Sequence, residues 1–204
     1  MCTAARIFFT LLFGLTVMGQ ASSSVLDSII EQIPTAPLIR GHYTQTQKLV
    51  NVPKPFVTQG HFVFWRDSVF LWKTQDKVPT STVYSEQSFK TYVHLRGQRI
   101  VSSASPATSL ENRVLWALFS KDFNSLELDF QIFAHEDKQG WQLDFFPKTN
   151  LTRSIVKHIQ IRGKEMPESM TMQNYSGDFN TLRFTNMELS SGSSSEEEAD
   201  LANP

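Results

Sequence analysis

The chain has 204 residues, 19 basic and 20 acidic, with 16 phenylalanines and one cysteine. That length suits one domain plus tails. The near-balanced charge, with no basic stripe, argues against nucleic acid as a partner. The lone Cys2 excludes an internal disulfide and a cysteine-rich metal site.

Residues 1–21 read as a secretory signal. Arg6 gives a positive start, and Ile7 to Met18 is an apolar run too short for the roughly 20 residues of a membrane span. Gly19-Gln20-Ala21 sets small residues at the two positions a signal peptidase reads, so cleavage is expected after Ala21. No cysteine stands at that point, so a lipid anchor is not expected. Loss of Arg6 leaves 18 basic against 20 acidic residues.

Val25 to Ile33 has the spacing of a short amphipathic helix, with Ser24 as its expected N-cap and Pro34 and Pro37 ending it. From Ile39 the period changes to two. Ile39, Gly41, Tyr43, Gln45 and Gln47 share a face; Phe62 and Phe64 alternate with Val63 and Trp65; Phe70 and Trp72 flank Leu71. Phe89 to Leu95, Leu126 to Phe133 and Trp141 to Phe146 continue the alternation, followed by runs at 155–162, 169–175 and 179–189. Turns are expected at Arg66-Asp67-Ser68, Arg96-Gly97-Gln98, Glu136 to Gly140, Arg162 to Lys164 and Ser176-Gly177-Asp178. These make nine or ten antiparallel strands, and a sheet of that size curls or closes.

One helical stretch interrupts the strands. Thr108 to Glu111 reads as a capping box. Leu110, Val114, Leu115 and Leu118 then line one side, widened by Trp116 and Phe119, while Glu111, Asn112 and Arg113 fall on the other. Such a helix can lie across the open side of a curved sheet. The last stretch, 190–204, is rich in serine and glutamate and is expected to be disordered.

No nucleophile–base pair, phosphate loop or metal-binding motif is present, and the five histidines are scattered. "HEDK" at His135 to Lys138 falls in an expected turn. The chain therefore reads as a non-enzyme without cofactor or metal.

The stretch 61–73, HFVFWRDSVFLWK, sets one arginine among five aromatic residues. Its "RDSVFLW" resembles the Arg-Pro-x-x-Phe-x-Trp motif of the LolA family, periplasmic carriers of outer-membrane lipoproteins. "HYTQTQ" at 42–47, "GWQLDFFPK" at 140–148 and "GDFNTLRFTN" at 177–186 resemble further strands of that family, in the same order. The resemblance covers residues 25–189; the expected lipid-binding domain runs from 22 to 189. It implies a mainly β (α+β) fold: an unclosed antiparallel barrel of about 10–11 strands with a helical lid and an N-terminal helix.

The function implied is periplasmic carriage of acyl chains, from an inner-membrane transporter to an outer-membrane acceptor, by a monomer. A lipid or envelope-stress sensor on the same fold is the alternative. The candidate cavity lining is Tyr43, Phe62, Phe64, Phe70, Trp72 and Val93 from the early strands. Leu115, Leu118 and Phe119 join it from the helix, and Phe130, Met170 and Met172 from the later strands. Arg66 matches the family arginine that contacts the lid. By parity it faces the side of Phe62 and Phe64, where helix-terminal carbonyls near Leu118 to Ser120 would suit it. Alternatively it marks an exposed turn, with its stem over a ring. Asp67 stands where the motif has proline, and the family's Pro-Pro-Gly final strand has no counterpart.

Overall fold

A computed structural model describes residues 21–76, 78–85, 88–95, 98–102 and 105–202, with side chains from residue 25 onward. Residues 1–20 of the expected signal segment 1–21, with Cys2 and Arg6, and Arg96 and Gly97 of an expected turn lie outside the described residues. None of the described helices is long and apolar enough to cross a membrane.

The described residues form one eleven-stranded antiparallel sheet with four helices. In chain order the elements are α1 (Ala21–Gln32), β1 (Leu38–Lys48), β2 (Phe56–Trp65), β3 (Val69–Thr74), β4 (Thr80–Ser85), β5 (Ser88–Leu95), β6 (Gln98–Ser102) and α2 (Pro106–Ser120). A 3-10 turn (Phe123–Leu126) leads to β7 (Phe130–Asp137), β8 (Gly140–Pro147), α3 (Asn150–Ile155), β9 (Val156–Gly163), β10 (Pro167–Asn174), β11 (Phe179–Ser190) and α4 (Ser195–Ala202). The strand order is β6-β5-β4-β3-β2-β1-β11-β10-β9-β8-β7, so β6 and β7 end the described sheet without pairing to each other and the barrel stays open. The two chain halves meet where β1 pairs with β11, from Leu38↔Ser190 to Lys48↔Phe179.

Because strand side chains alternate, one face carries the core. Ile39, Tyr43, Phe62, Phe64, Phe70 and Trp72 point into it, joined by Phe145, Ile159, Ile161 and Leu182 from the other half. Ile29 and Ile33 bring α1 into the same cluster, and the helix rests against β7 with Gln32 Nε2 donating to Glu136 Oε1 at 2.7 Å. Helix α2 contributes Leu110, Val114, Leu115, Trp116, Leu118 and Phe119. The core is therefore a sheet wrapped around a helix.

Several elements differ from the sequence reading. Helix α1 already includes Ser24, which is not its cap. β4 and β6 escaped notice because β4 is mostly Ser and Thr and β6 is exposed throughout, leaving little apolar alternation to read. The apolar run from Leu126 is broken: Leu126 ends a 3-10 turn, Leu128 is 84% exposed, and the strand begins at Phe130. His135, Glu136 and Asp137 belong to β7, which leaves only Lys138 and Gln139 to turn the chain. Short α3, capped by Thr149 accepting from Thr152 N, precedes β9.

The acidic tail, where composition suggests disorder, forms α4. Its residues meet cations on the outer face of the sheet: Glu197 pairs with Arg40 at 2.8 Å, and Asp200 with Lys73. Arg40 and Lys73 alternate with the inward-facing residues, so α4 and the α2 lid sit on opposite sides.

The turn from β2 to β3 closes with Ser68 N donating to Trp65 O at 3.2 Å, and Asp67 takes φ +58°. Proline, with φ held near −65°, cannot adopt this conformation. The departure from the family motif thus gives a different turn, one that favours Asp, Asn or Gly. We expect Asp67→Pro to destabilise the protein by ~1–3 kcal/mol and Asp67→Gly to leave it within ~1 kcal/mol. Urea unfolding of the two variants measures both.

Candidate functional site

The site is built where α2 enters the concave side. Phe119, near the helix C-terminus, inserts among Phe62, Phe64 and Phe70, with ring centroids 5.6, 5.7 and 5.5 Å away. Trp116, one turn earlier, meets Phe64 edge-on at 5.3 Å and Tyr84 at 5.6 Å. These offset and edge-on pairings are those the ring quadrupole favours. Phe62, Phe64, Phe70 and Phe119 are each 1% exposed or less. The apolar hollow implied by the family resemblance is here filled by the helix itself.

Arg66 closes this arrangement. Its Nη2 donates to Phe119 O at 3.0 Å, its Nη1 to Ser120 O at 3.1 Å and its Nε to Ala36 O at 3.2 Å. Phe119 and Ser120 end α2, where carbonyls lack intrahelical partners and the helix dipole is negative. Arg66 N also donates to Pro37 O at 2.9 Å. One residue thus joins the β2–β3 turn, the α1–β1 link and the end of the lid. Beyond it Lys121 takes φ +66° and stops the helix. Burial, followed by repulsion from Arg66, lowers the Lys121 ammonium below its usual pKa.

The other candidate lining residues are distributed as follows. Tyr43, Trp72, Leu115 and Leu118 lie in the core with the Phe cluster, as do Phe130 on β7 and Met170 and Met172 on β10. Val93 is not among them; it is half-buried on β5, outside the core cluster. The expected spacious lining is, in this conformation, a solid interior.

What remains open on the concave side is a polar cleft of about 150 Å³, bordered by Tyr43, Trp72, Thr74, Thr82, Glu111 and Leu115 among others. Sequence reading assigned Glu111 to a capping box and to the outer side of the helix. Instead Ser105 caps α2, accepting from Thr108 N at 3.1 Å. Glu111 is 7% exposed and accepts from Asn180 Nδ2 at 2.7 Å. Asn112 is also buried, and its Oδ1 accepts from Trp72 Nε1 at 3.1 Å. A signal was present: Glu111 lies four and seven residues before Leu115 and Leu118, hence on their face of the helix. Polarity masked that phase.

Burial pushes the Glu111 carboxyl up to about 7, with the Asn180 hydrogen bond opposing the shift. Burial, with Asp76 and Glu111 nearby, also raises the Tyr43 hydroxyl well above its usual range. No group of three or more His, Cys, Asp or Glu among the described residues is placed to hold a metal.

An open antiparallel sheet, plugged by a helix whose C-terminal carbonyls accept from an arginine, defines a lidded, unclosed β-barrel domain. The chain belongs to the LolA family: the description "Outer membrane lipoprotein carrier protein LolA" matches residues 35–196. That membership places it on a periplasmic carrier and protein-interaction fold of non-catalytic proteins. Comparison with curated proteins gives no match. Among solved structures, it is similar to a LolA superfamily protein from Nitrosomonas europaea, at 10% identity over 84% of this chain and 94% of that one, TM-score 0.47. A putative outer membrane lipoprotein-sorting protein domain from Vibrio parahaemolyticus shows 9% identity over 89% and 97%, TM-score 0.48. The MucA/MucB complex of Pseudomonas aeruginosa shows 10% identity over 86% and 59%, TM-score 0.35.

Glu111 carries a pH prediction. Its carboxyl holds a proton more tightly in the folded protein than in the unfolded chain. Its contribution is therefore fully present below its ordinary value of 4.5 and declines as pH rises to about 7. The loss above that point is on the order of 3 kcal/mol. Glu111→Gln should flatten this decline; denaturant unfolding from pH 4.5 to 8 checks it.

Proposed function

We propose that the protein is a periplasmic carrier that takes up acyl chains of a lipoprotein or other lipid on its concave side when α2 lifts. The observation that carries this reading is the Arg66 clip over a helix plugged into an aromatic core. An acyl chain of about 16 carbons gains roughly 12 kcal/mol on leaving water, at about 0.8 kcal/mol per methylene. A carrier holding cargo that tightly would not release it. Ejecting Phe119 costs about 1.5–3 kcal/mol of burial, and each charged hydrogen bond of Arg66 about 1.5–3 kcal/mol more. The self-filled state therefore competes with cargo and lowers net affinity into a range that permits hand-over. An inner-membrane transporter as donor and an outer-membrane acceptor are the partners this reading requires.

Arg66→Leu removes three hydrogen bonds from the closed state and retains apolar bulk. It should raise affinity for an acyl ligand by about tenfold or more and slow transfer from loaded protein to acceptor vesicles. Transfer at the wild-type rate would rule out the clip. Mass spectrometry of lipids that copurify with the mature protein tests the cargo class.

A second reading is a sensor or interaction domain that engages an envelope protein instead of transporting lipid. It is favoured by the outermost described strand on one side, β6, where Ile100 and Val101 stand exposed beside the exposed Leu95, an apolar strip suited to a protein partner. A carrier exchanges cargo between membranes in solution; a sensor forms a stable protein complex whether or not lipid moves.

A further inference from the structure

The polar cleft beside α2 has no role in the clip or the aromatic plug. It opens between α2 and strands β1, β3, β4 and β11, with Gln45, Gln47 and Glu111 among its walls. No lysine, arginine or histidine lines it among the described residues; Tyr43 and Glu111 are its titratable groups. Glu111 has an amide, not a cation, as its partner. That amide belongs to Asn180, itself 8% exposed, whose Oδ1 has no hydrogen-bond partner.

The cleft thus holds a buried carboxyl and, among the described residues, no positive charge. A buried carboxylate without a cation is costly, and an unmatched amide oxygen adds to the cost. A hydroxyl ligand would satisfy the acceptors but leave the charge unbalanced, and an anionic ligand would be repelled. An ammonium group supplies both charge and N–H donors. Tyr43 and Trp72 also border the space, packed edge to face on each other at 4.8 Å between centroids.

We propose that this cleft is a subsite for a small ammonium group, carried by a lipid head group or by a free amine, which pairs with the Glu111 carboxylate. The lipid source rests on the acyl-binding reading; the free-amine source does not. Glu111 shares the cleft wall with Tyr43 from β1 and Asn112 from its own helix, and Asn180 from β11 donates to it; Asp76 acts further off on Tyr43.

The test has two arms. In the first, the Glu111 carboxyl of the mature chain is followed by 13C NMR from pH 4.5 to 8.5, in 2-aminoethanol and in sodium chloride of equal ionic strength. The midpoint near 7 should fall by about one pH unit or more in the amine. In the second, binding is measured for monoacyl lipids of equal chain length with an ammonium or an uncharged glycerol head. The ammonium lipid should bind about tenfold tighter or more, and Glu111→Gln should abolish the difference. An unmoved midpoint, or a preference that survives Glu111→Gln, overturns the proposal. If the two lipids bind equally and the midpoint is unmoved, the subsite falls and acyl binding stands. If neither lipid binds but the midpoint moves, acyl binding falls and the subsite stands, with a free amine as its ligand.

Discussion

The guanidinium of Arg66 against the last carbonyls of α2 is the contact on which the closed structure depends. An arginine at the edge of an aromatic interior needs its donors satisfied, and a helix end needs its acceptors satisfied. Here each solves the other's problem, at 3.0 and 3.1 Å. The third bond, to Ala36 O, extends the clip to the segment after α1. Two helices distant in sequence are thereby referred to one turn of the sheet, and the position of Phe119 among its three partner rings follows.

The same contact explains why a filled core is compatible with a carrier fold. An open barrel with a vacant apolar interior would expose rings to water or collapse. Helix α2, settled into that interior, keeps Phe62, Phe64 and Phe70 dry. The turn that aims Arg66 is held by Asp67 in a left-handed conformation in place of a proline. The clip is therefore reached through a backbone route different from that of the motif it resembles.

The two ends of α2 have opposite chemistry. Its C-terminal half, with Trp116 and Phe119, is aromatic plug; its N-terminal half sets Glu111 and Asn112 against Trp72, Asn180 and a polar cleft. A wholly apolar helix face would seal more tightly. A face with a buried carboxyl is weakened where that carboxyl ionises. On the outer face, α4 brings acidic residues to Arg40 and Lys73, away from the lid.

Period-two alternation of large apolar residues at 39–47, 62–72 and 141–146 was enough to specify a one-sided, curled antiparallel sheet, because a strand's faces are fixed by parity alone. The apolar face of 110–119 likewise specified a helix to cover it, and the run 61–73 marked Arg66 as the unusual residue. Strands β4 and β6 were illegible, since Ser and Thr or exposed positions carry no burial signal. Tertiary structure alone decided that Arg66 also reaches Ala36 O, that the interior is filled by Phe119 instead of left hollow, and that the partner of Glu111 is Asn180, a residue 69 positions away. Those outcomes depend on the depth to which a helix settles into a curved sheet, a distance that is set by side chains from both halves of the chain and that no local pattern encodes.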